Sequence, residues 1–361
     1  MGTEHTSGPM PRYPDDVTRE WLSEVLSDRG SAVTVSAVDV TAIGTGQTGA
    51  TYRVSAGYTA NPDGLPATFV IKLPAQDDAV RDRVTIGYRS ECAFYAGVAG
   101  RVEVPVPQCF YCAITEDAME YALLLADQAP AVQGDQIAGC GEQEARLAVT
   151  ALAGLHGPSW CDPVWLDFPG IAFARPDEPA ANGLGEVAQM SADITLDKLG
   201  DRMSRVDRET FTTTMGLVTP WLLAEQNRFS LLHGDYRLDN MLFNYDTNNI
   251  TVVDWQTLGV GLPARDLAYF TATSLKPELR SAIETDLVEA YHRTLIGHGV
   301  TGYDRETCWR DYRLGMPQAL LISALGFAFA TATDRGDEMV LTMLSRGCQA
   351  IRDLGTLDLI G

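Results

Sequence analysis

His233-Gly234-Asp235-Tyr236-Arg237-Leu238-Asp239-Asn240, followed by Val253-Asp254-Trp255, gathers three groups suited to phosphoryl transfer. One carboxylate can take or orient a proton, while an amide and a second carboxylate can hold magnesium. Asp235 and Asn240 are five positions apart, on a tight loop after the apolar run Phe229-Ser230-Leu231-Leu232. Asp254 follows nineteen positions after Asp235, at the end of a second extended run, Ile250-Thr251-Val252-Val253. A loop–strand–turn–strand–Asp order is expected to bring both acidic ends, Asp235 and Asp254, to the same edge of a small hairpin. An accidental loop with two Asp and an Asn is the competing reading, and the rest of the chain decides between them.

The pattern resembles the Asp-x-x-x-x-Asn loop and metal-binding Asp of protein kinases. Before the Asp, however, those enzymes carry an Arg that meets a phosphorylated activation loop, and here stands Gly234. His-Gly-Asp with Asn five residues after the Asp is similar to the aminoglycoside phosphotransferase and choline kinase superfamily. Asp254-Trp255-Gln256 in place of Asp-Phe-Gly is of the same small-molecule kind. Only twelve residues separate Asp254 from Asp266, which leaves no room for an activation segment.

Charge and composition narrow the function classes. The formal charge is −21, with 27 Lys and Arg against 48 Asp and Glu. Nucleic acid as a partner is disfavoured, because phosphate backbones need a basic face. Acidity suits a cationic acceptor and equally suits plain solubility. Seven cysteines without regular spacing imply free thiols in a reducing compartment. Cys109-Phe110-Tyr111-Cys112 has no second pair and reads as half-buried strand. Met1-Gly2-Thr3-Glu4-His5-Thr6 formally fits a myristoylation signal, but no basic cluster follows it. The apolar run Met316–Ala332 contains Pro317 and several hydroxyls, so a buried helix is expected and no membrane span. A soluble, cytoplasmic protein follows from these features, with its oligomeric state left open.

Before the central loop the pattern is mostly extended. Residues 1–15 are expected to be loose, and Asp16 to cap a helix over 17–27. Strands are expected over 33–43, 51–58 and 68–73. Gly44-Thr45-Gly46-Gln47-Thr48-Gly49 matches G-x-G-x-x-G, yet Thr51-Tyr52-Arg53-Val54-Ser55 is β-branched and extended, whereas a Rossmann loop must open a helix. A glycine-rich hairpin turn is the kinase arrangement, and the resemblance implies that Gly44, Gly46 and Gly49 close over nucleotide phosphates. It implies equally that Lys72 reaches those phosphates and that Glu91, on a helix around 86–95, fixes Lys72. Two further strands, 108–115 and 119–125, lead into a hinge where the backbone near Leu124 and Ala126 would meet the base. Relatives often carry an acidic residue at the position of Ala126, so preference for ATP over GTP stays open. Gly134-Asp135-Gln136 resembles a segment of the ecdysteroid-kinase-like branch of bacterial phosphotransferases.

After the hinge the pattern turns helical: 142–155 ending at His156, an irregular segment over 158–205, a helix over 207–227, and further helices near 276–297, 305–333 and 338–354. Asp266 is expected to cap the helix after it, and in the family an Asp here braces the catalytic loop.

The expected fold is thus α+β, bilobal and protein-kinase-like. A nucleotide-binding lobe over 1–125 carries an antiparallel sheet plus helix, a hinge spans 126–130, and a larger helical lobe with the acceptor site spans 131–361. The resemblance implies an ATP-dependent O-phosphotransferase using Mg²⁺ on a small-molecule hydroxyl, with Asp235 as base and Asn240 and Asp254 as metal ligands. An aminoglycoside phosphotransferase and a catalytically silent nucleotide-binding scaffold remain alternatives. For the acceptor, Trp221, Tyr236, Trp255, Trp309 and Tyr312 offer aromatic surface and Asp239 a charge, although each aromatic fits a core equally well. The apolar 316–332 run favours a hydroxylated, fairly apolar acceptor.

Overall fold

The computed structural model describes residues 10–28, 30–43, 49–329 and 333–360. Within them the chain divides into two compact units, one of residues 1–99 and 106–129, the other of 100–105 and 130–361.

The first unit is built on a five-stranded antiparallel sheet. Helix α1 (Arg19–Ser27) precedes β1 (Thr34–Ala42), β2 (Gly49–Ala60) and β3 (Thr68–Pro74), and α2 (Asp78–Ala93) precedes β4 (Cys109–Ile114) and β5 (Tyr121–Ala126). The order across the sheet is β1-β2-β3-β5-β4. Thr18, not Asp16, caps α1 through Trp21 N, because Asp16 sits in the preceding turn and accepts from Arg12 N and Tyr13 N. The two-residue alternation of a strand sorts the sheet into two apolar faces. Phe69, Ile71, Leu73, Ala122 and Leu124 pack under Trp21, Leu22, Val25 and Leu26 of α1. On the other face Leu123 and Leu125 pack with Tyr88 and Cys92 of α2. Lys72 alternates with Ile71 and Leu73, so it stands on the α2 face. The extended run after the glycine loop is β2, in register with β3 from Gly49 opposite Pro74 to Ser55 opposite Thr68. Gly44 and Gly46 lie outside the described residues.

The second unit is mostly helical. It contains β6 (Val132–Gln133), α3 (Glu142–His156), α4 (Glu178–Leu199), α5 (Arg205–Gly216), α6 (Val218–Leu223), β7 (Ser230–Leu232), β8 (Met241–Asn244), β9 (Asn249–Val252) and β10 (Gly259–Gly261). Five helices follow: α7 (Ala264–Ser274), α8 (Pro277–Gly297), α9 (Arg305–Gly315), α10 (Pro317–Phe329) and α11 (Asp334–Asp353). Helix α7 is buried at every residue and packs against α9, α10 and α11.

Three sequence expectations are corrected here. The irregular segment expected over 158–205 contains the 22-residue helix α4. Its prolines mislead because Pro179 sits in the first turn, where a missing N–H costs nothing, and Asp177 caps from outside. The single helix expected over 207–227 is two, α5 and α6, joined at Leu217. The one expected over 305–333 also divides, into α9 and α10, at Pro317.

Candidate active site

In the second unit, strand β7 is buried at all three residues and delivers the chain to His233. Gly234 then turns it at φ +83°, and a Cβ there would lie 2.4 Å from the Thr257 carbonyl oxygen. Glycine is therefore required sterically. Asp266, fully buried in α7, holds this turn: its carboxylate accepts from His233 N at 2.6 Å and Gly234 N at 3.1 Å. The expected capping role fails, since Asp266 lies inside the helix and its carboxylate faces the loop. His156 Nε2 is 3.5 Å from the same carboxylate while its Nδ1 meets Tyr291 Oη at 2.7 Å, so His156 belongs to the bracing.

His233 links the loop to the second carboxylate. Asp235 N donates to its Nδ1 at 3.3 Å, which makes Nδ1 the acceptor and assigns the proton to Nε2, 3.1 Å from the Val253 carbonyl oxygen. The hairpin pairs Met241 with Val252, and Val253 N donates to Asn240 O at 3.0 Å. Asn240 and the Asp254 backbone thus emerge from the same hairpin end. Asp254 has φ +69°, a left-handed conformation that Asp tolerates better than most residues. Such strain costs on the order of 1–3 kcal/mol and clusters at functional sites.

Asp235, with 22% of its side chain exposed, is held from three sides. Tyr269 Oη donates to Oδ1 at 2.7 Å, and Arg237 Nε to Oδ2 at 3.0 Å. Asn240 Nδ2 donates to Oδ2 at 3.1 Å and to the Asp235 carbonyl at 2.9 Å. Burial pushes this carboxyl up, but the Arg237 charge and the Tyr269 hydrogen bond outweigh it and hold it below the usual range. Burial and the neighbouring carboxylate push Tyr269 well above 10, which keeps it a donor. Because Nδ2 is committed to Asp235, the amide orientation of Asn240 leaves Oδ1 as the group that could meet a cation.

Arg237 and Tyr269 were missed as site residues. Tyr269 lies three positions after Asp266 and shares that face of one helix, a signal that becomes usable only once Asp266 is seen to meet the loop. A further support is Gln136, whose Oε1 accepts from Leu238 N at 2.9 Å and whose N–H donates to Asp239 Oδ1 at 3.1 Å. Asp239 also receives Arg237 at 3.2 Å. It is a brace of the loop, and its expected availability for an amine is corrected.

In the first unit Lys72 Nζ lies 2.6 Å from Glu91 Oε1; Lys72 is 15% exposed and Glu91 fully buried. Glu91 is on the face of α2 that covers the sheet. Leu124 pairs with Ile71 and Tyr111 and its side chain is core, whereas Ala126 ends β5 half-buried, its N–H on the Gln108 carbonyl at 2.8 Å. Of the aromatics considered for the acceptor, Trp221, Tyr236, Trp255 and Tyr312 are buried core, and only Trp309 is part-exposed.

Among the described residues no three His, Cys, Asp or Glu side chains cluster to hold a metal. A site completed by substrate phosphates needs fewer protein ligands, and the oxygens of Asn240 and Asp254 are the hard donors magnesium takes. No helix among them is long and apolar enough to cross a membrane.

The sequence model of the ecdysteroid kinase-like family matches residues 180–299, a span containing Asp235, Asn240, Asp254 and Asp266. A candidate aminoglycoside phosphotransferase from Ralstonia eutropha superposes with a TM-score of 0.52 at 16% identity, covering 88% of this chain and 93% of that one. Plasmodium vivax ethanolamine kinase gives 0.53 at 12% identity, covering 88% and 84%. Human Acyl-CoA dehydrogenase family member 11 is 37% identical over 62 residues, which are 16% of this chain and 8% of that protein. The matched stretch is thus a small part of that relative's length.

The class these likenesses define is one of fold: the chain has a bilobal kinase-like fold shared with the aminoglycoside phosphotransferase and ethanolamine kinase structures it superposes on. In sequence, residues 180–299 resemble the ecdysteroid kinase-like family, over about a third of the chain.

Proposed function

We propose that the protein is a magnesium- and ATP-dependent O-phosphotransferase acting on the hydroxyl of a small molecule. The observation that carries this is the immobilised Asp235 carboxylate, oriented by Tyr269, Arg237 and Asn240 on a loop tied to Asp266. A pre-aligned carboxylate suits a reaction in which the enzyme supplies placement and electrostatics. In this reading Asp235 receives the acceptor hydroxyl, aligns its oxygen on the terminal phosphorus, and takes the proton as the new P–O bond forms and the bond to ADP breaks. Asn240 and Asp254 would hold Mg²⁺, which would supply charge neutralisation for the phosphates when bound. Lys72, fixed by Glu91, binds the nucleotide phosphates, with the backbone near Leu124 and Ala126 at the base; the glycine loop Gly44–Gly49 is assigned to the phosphates from its sequence pattern. GTP is the second nucleotide to test.

The deciding experiment is an ADP- and GDP-release screen with Mg-ATP and Mg-GTP over hydroxylated acids, sterol-like alcohols, sugars, amino alcohols and aminoglycosides. Turnover abolished by Asp235→Asn, with nucleotide binding retained, is the expected result. Full turnover by Asp235→Asn would remove the assigned role.

A further inference from the structure

Beside Gly234, one residue before Asp235, a cavity opens within the second unit. About 70 Å³ of it is cavity volume proper, and the rest of the space is open to solvent. Its walls are apolar: Leu184 of α4, Leu222 of α6, Val260 of β10, and Leu321, Ile322 and Leu325 of α10. Side chains with polar groups are few, namely Thr257, Gln318 and Arg265. A small recess adjoins it, sharing Pro176, Leu222 and Arg265 and adding Arg175, Gln226 and Arg228. No Asp or Glu lines either space. In a chain with 48 acidic residues against 27 Lys and Arg, that inverts the charge of the molecule as a whole.

The three arginines differ in what they are already bound to. Arg228 is committed, with two 2.7 Å hydrogen bonds to Asp311 and a 2.8 Å contact with Glu225. Among the described residues, neither Arg175 nor Arg265 has a carboxylate within ion-pair distance. Arg265 is 7% exposed. Its Nη2 donates to the Leu222 carbonyl at 3.2 Å and its guanidinium lies 4.3 Å from the Trp221 ring centroid. That is a structural use, closing the end of α6 and covering an aromatic ring. It leaves Nε, which is buried and has no hydrogen-bond partner, and Nη1 unspent. Burial lowers Arg265 to about 10, against the opposing effect of Asp266, so near neutrality it remains a cation in an apolar wall. Arg175 donates Nη1 to the Gln226 carbonyl at 2.9 Å and stacks 5.1 Å from the Phe229 ring centroid, with its other nitrogens unspent. A buried cation without a counter-charge is costly, and an anionic ligand offsets that cost.

We propose that the acceptor is an apolar-bodied hydroxy-carboxylate, its carboxylate on Arg265 and Arg175, its hydrocarbon along α10, and its hydroxyl at the Gly234–Asp235 turn. This rests on the phosphotransferase reading for the hydroxyl but not for the carboxylate. The same walls disfavour aminoglycosides and quaternary amines, which need carboxylates or an aromatic box; Phe173 is the only aromatic residue lining either space.

The test uses the full chain and three probes of equal length, octanoate, octanamide and octylamine, titrated calorimetrically without nucleotide. Octanoate is expected to bind at least about tenfold more tightly than either of the others, the scale of a charge-assisted hydrogen bond. Arg175→Met, which sits at a part-exposed position, and Arg265→Lys, which retains the buried charge, are each expected to shrink that preference several-fold while leaving octanamide unchanged. Equal binding of the three probes, a preference for octylamine, or a preference for octanoate that survives both substitutions would overturn the proposal. Positional isomers of hydroxyoctanoate are then assayed for ADP release with Mg-ATP. Release from neutral alcohols or aminoglycosides but from no hydroxyoctanoate overturns the acceptor assignment and leaves the phosphotransferase reading standing. Octanoate binding in the expected order, with no release from any acceptor, sinks the phosphotransferase reading and leaves the anion pocket.

Discussion

Asp235 shows how much of the proposed chemistry depends on neighbours. Burial alone would raise its carboxyl, and the Arg237 charge, the Tyr269 hydrogen bond and smaller contributions from His233 and the Arg237 hydrogen bond keep it below the usual carboxylate range. The ionised form therefore persists above that lowered value and is lost as pH falls through it. The stability it contributes has the same sign, present above the unfolded value and lost through the native one. Across pH 5–8, kcat/KM is expected to show no acid limb from Asp235. In Arg237→Gln burial dominates, so the limb should move upward in pH; a profile identical to wild type would remove Arg237 from this role. Arg237 was visible in the loop, but no local rule says that it turns back on Asp235. Lys72 was legible because a lysine in the apolar strand Val70–Leu73 has no packing role. Its 2.6 Å partner nineteen residues away was expected from the resemblance and is supplied by the packing of α2 against β4 and β5, on the sheet face that carries Lys72.

Among elements, the turn at Gly234 and helix α7 act as one part. Gly234→Ala combines a left-handed φ with a Cβ pressed on the Thr257 carbonyl, so a loss of about 2–4 kcal/mol is expected. A lower urea midpoint together with lost ADP release would show it, and a wild-type midpoint would refute it. Asp266→Ala strands two buried N–H groups and should cost about 2–5 kcal/mol, read in the same melt. Strand and helix types were largely readable from periodicity. Element ends were less so where proline was the cue, because proline opens both α4 and α10 and was read as a breaker in one and passed over in the other. Helix α7 carries Arg265, Asp266 and Tyr269 on a segment buried all round, and sequence cannot tell which of its faces meets the loop.

The molecule as a whole carries a charge of −21, and self-repulsion of that size opposes compaction. Raising NaCl from about 20 to about 200 mM shortens the screening length several-fold, so the urea midpoint is expected to rise. All seven cysteines are free, and dithiothreitol should leave that midpoint unchanged. The net charge argued faintly for a cationic acceptor, whereas the cavity beside the loop has no acidic wall; a sum over the surface says nothing about one pocket. By itself the sequence determined the α+β class, the order of glycine loop, Lys72, Glu91, His-Gly-Asp, Asn240 and Asp254, and the excess of negative charge. These are written in local period, spacing and composition. Only the tertiary structure decided what holds Asp235, which face of α7 meets the loop, and that Arg175 and Arg265 line one recess without a counter-charge. Tyr269 and Asp235 are 34 positions apart and Arg175 and Arg265 are 90 apart, and only folding brings each pair to one place.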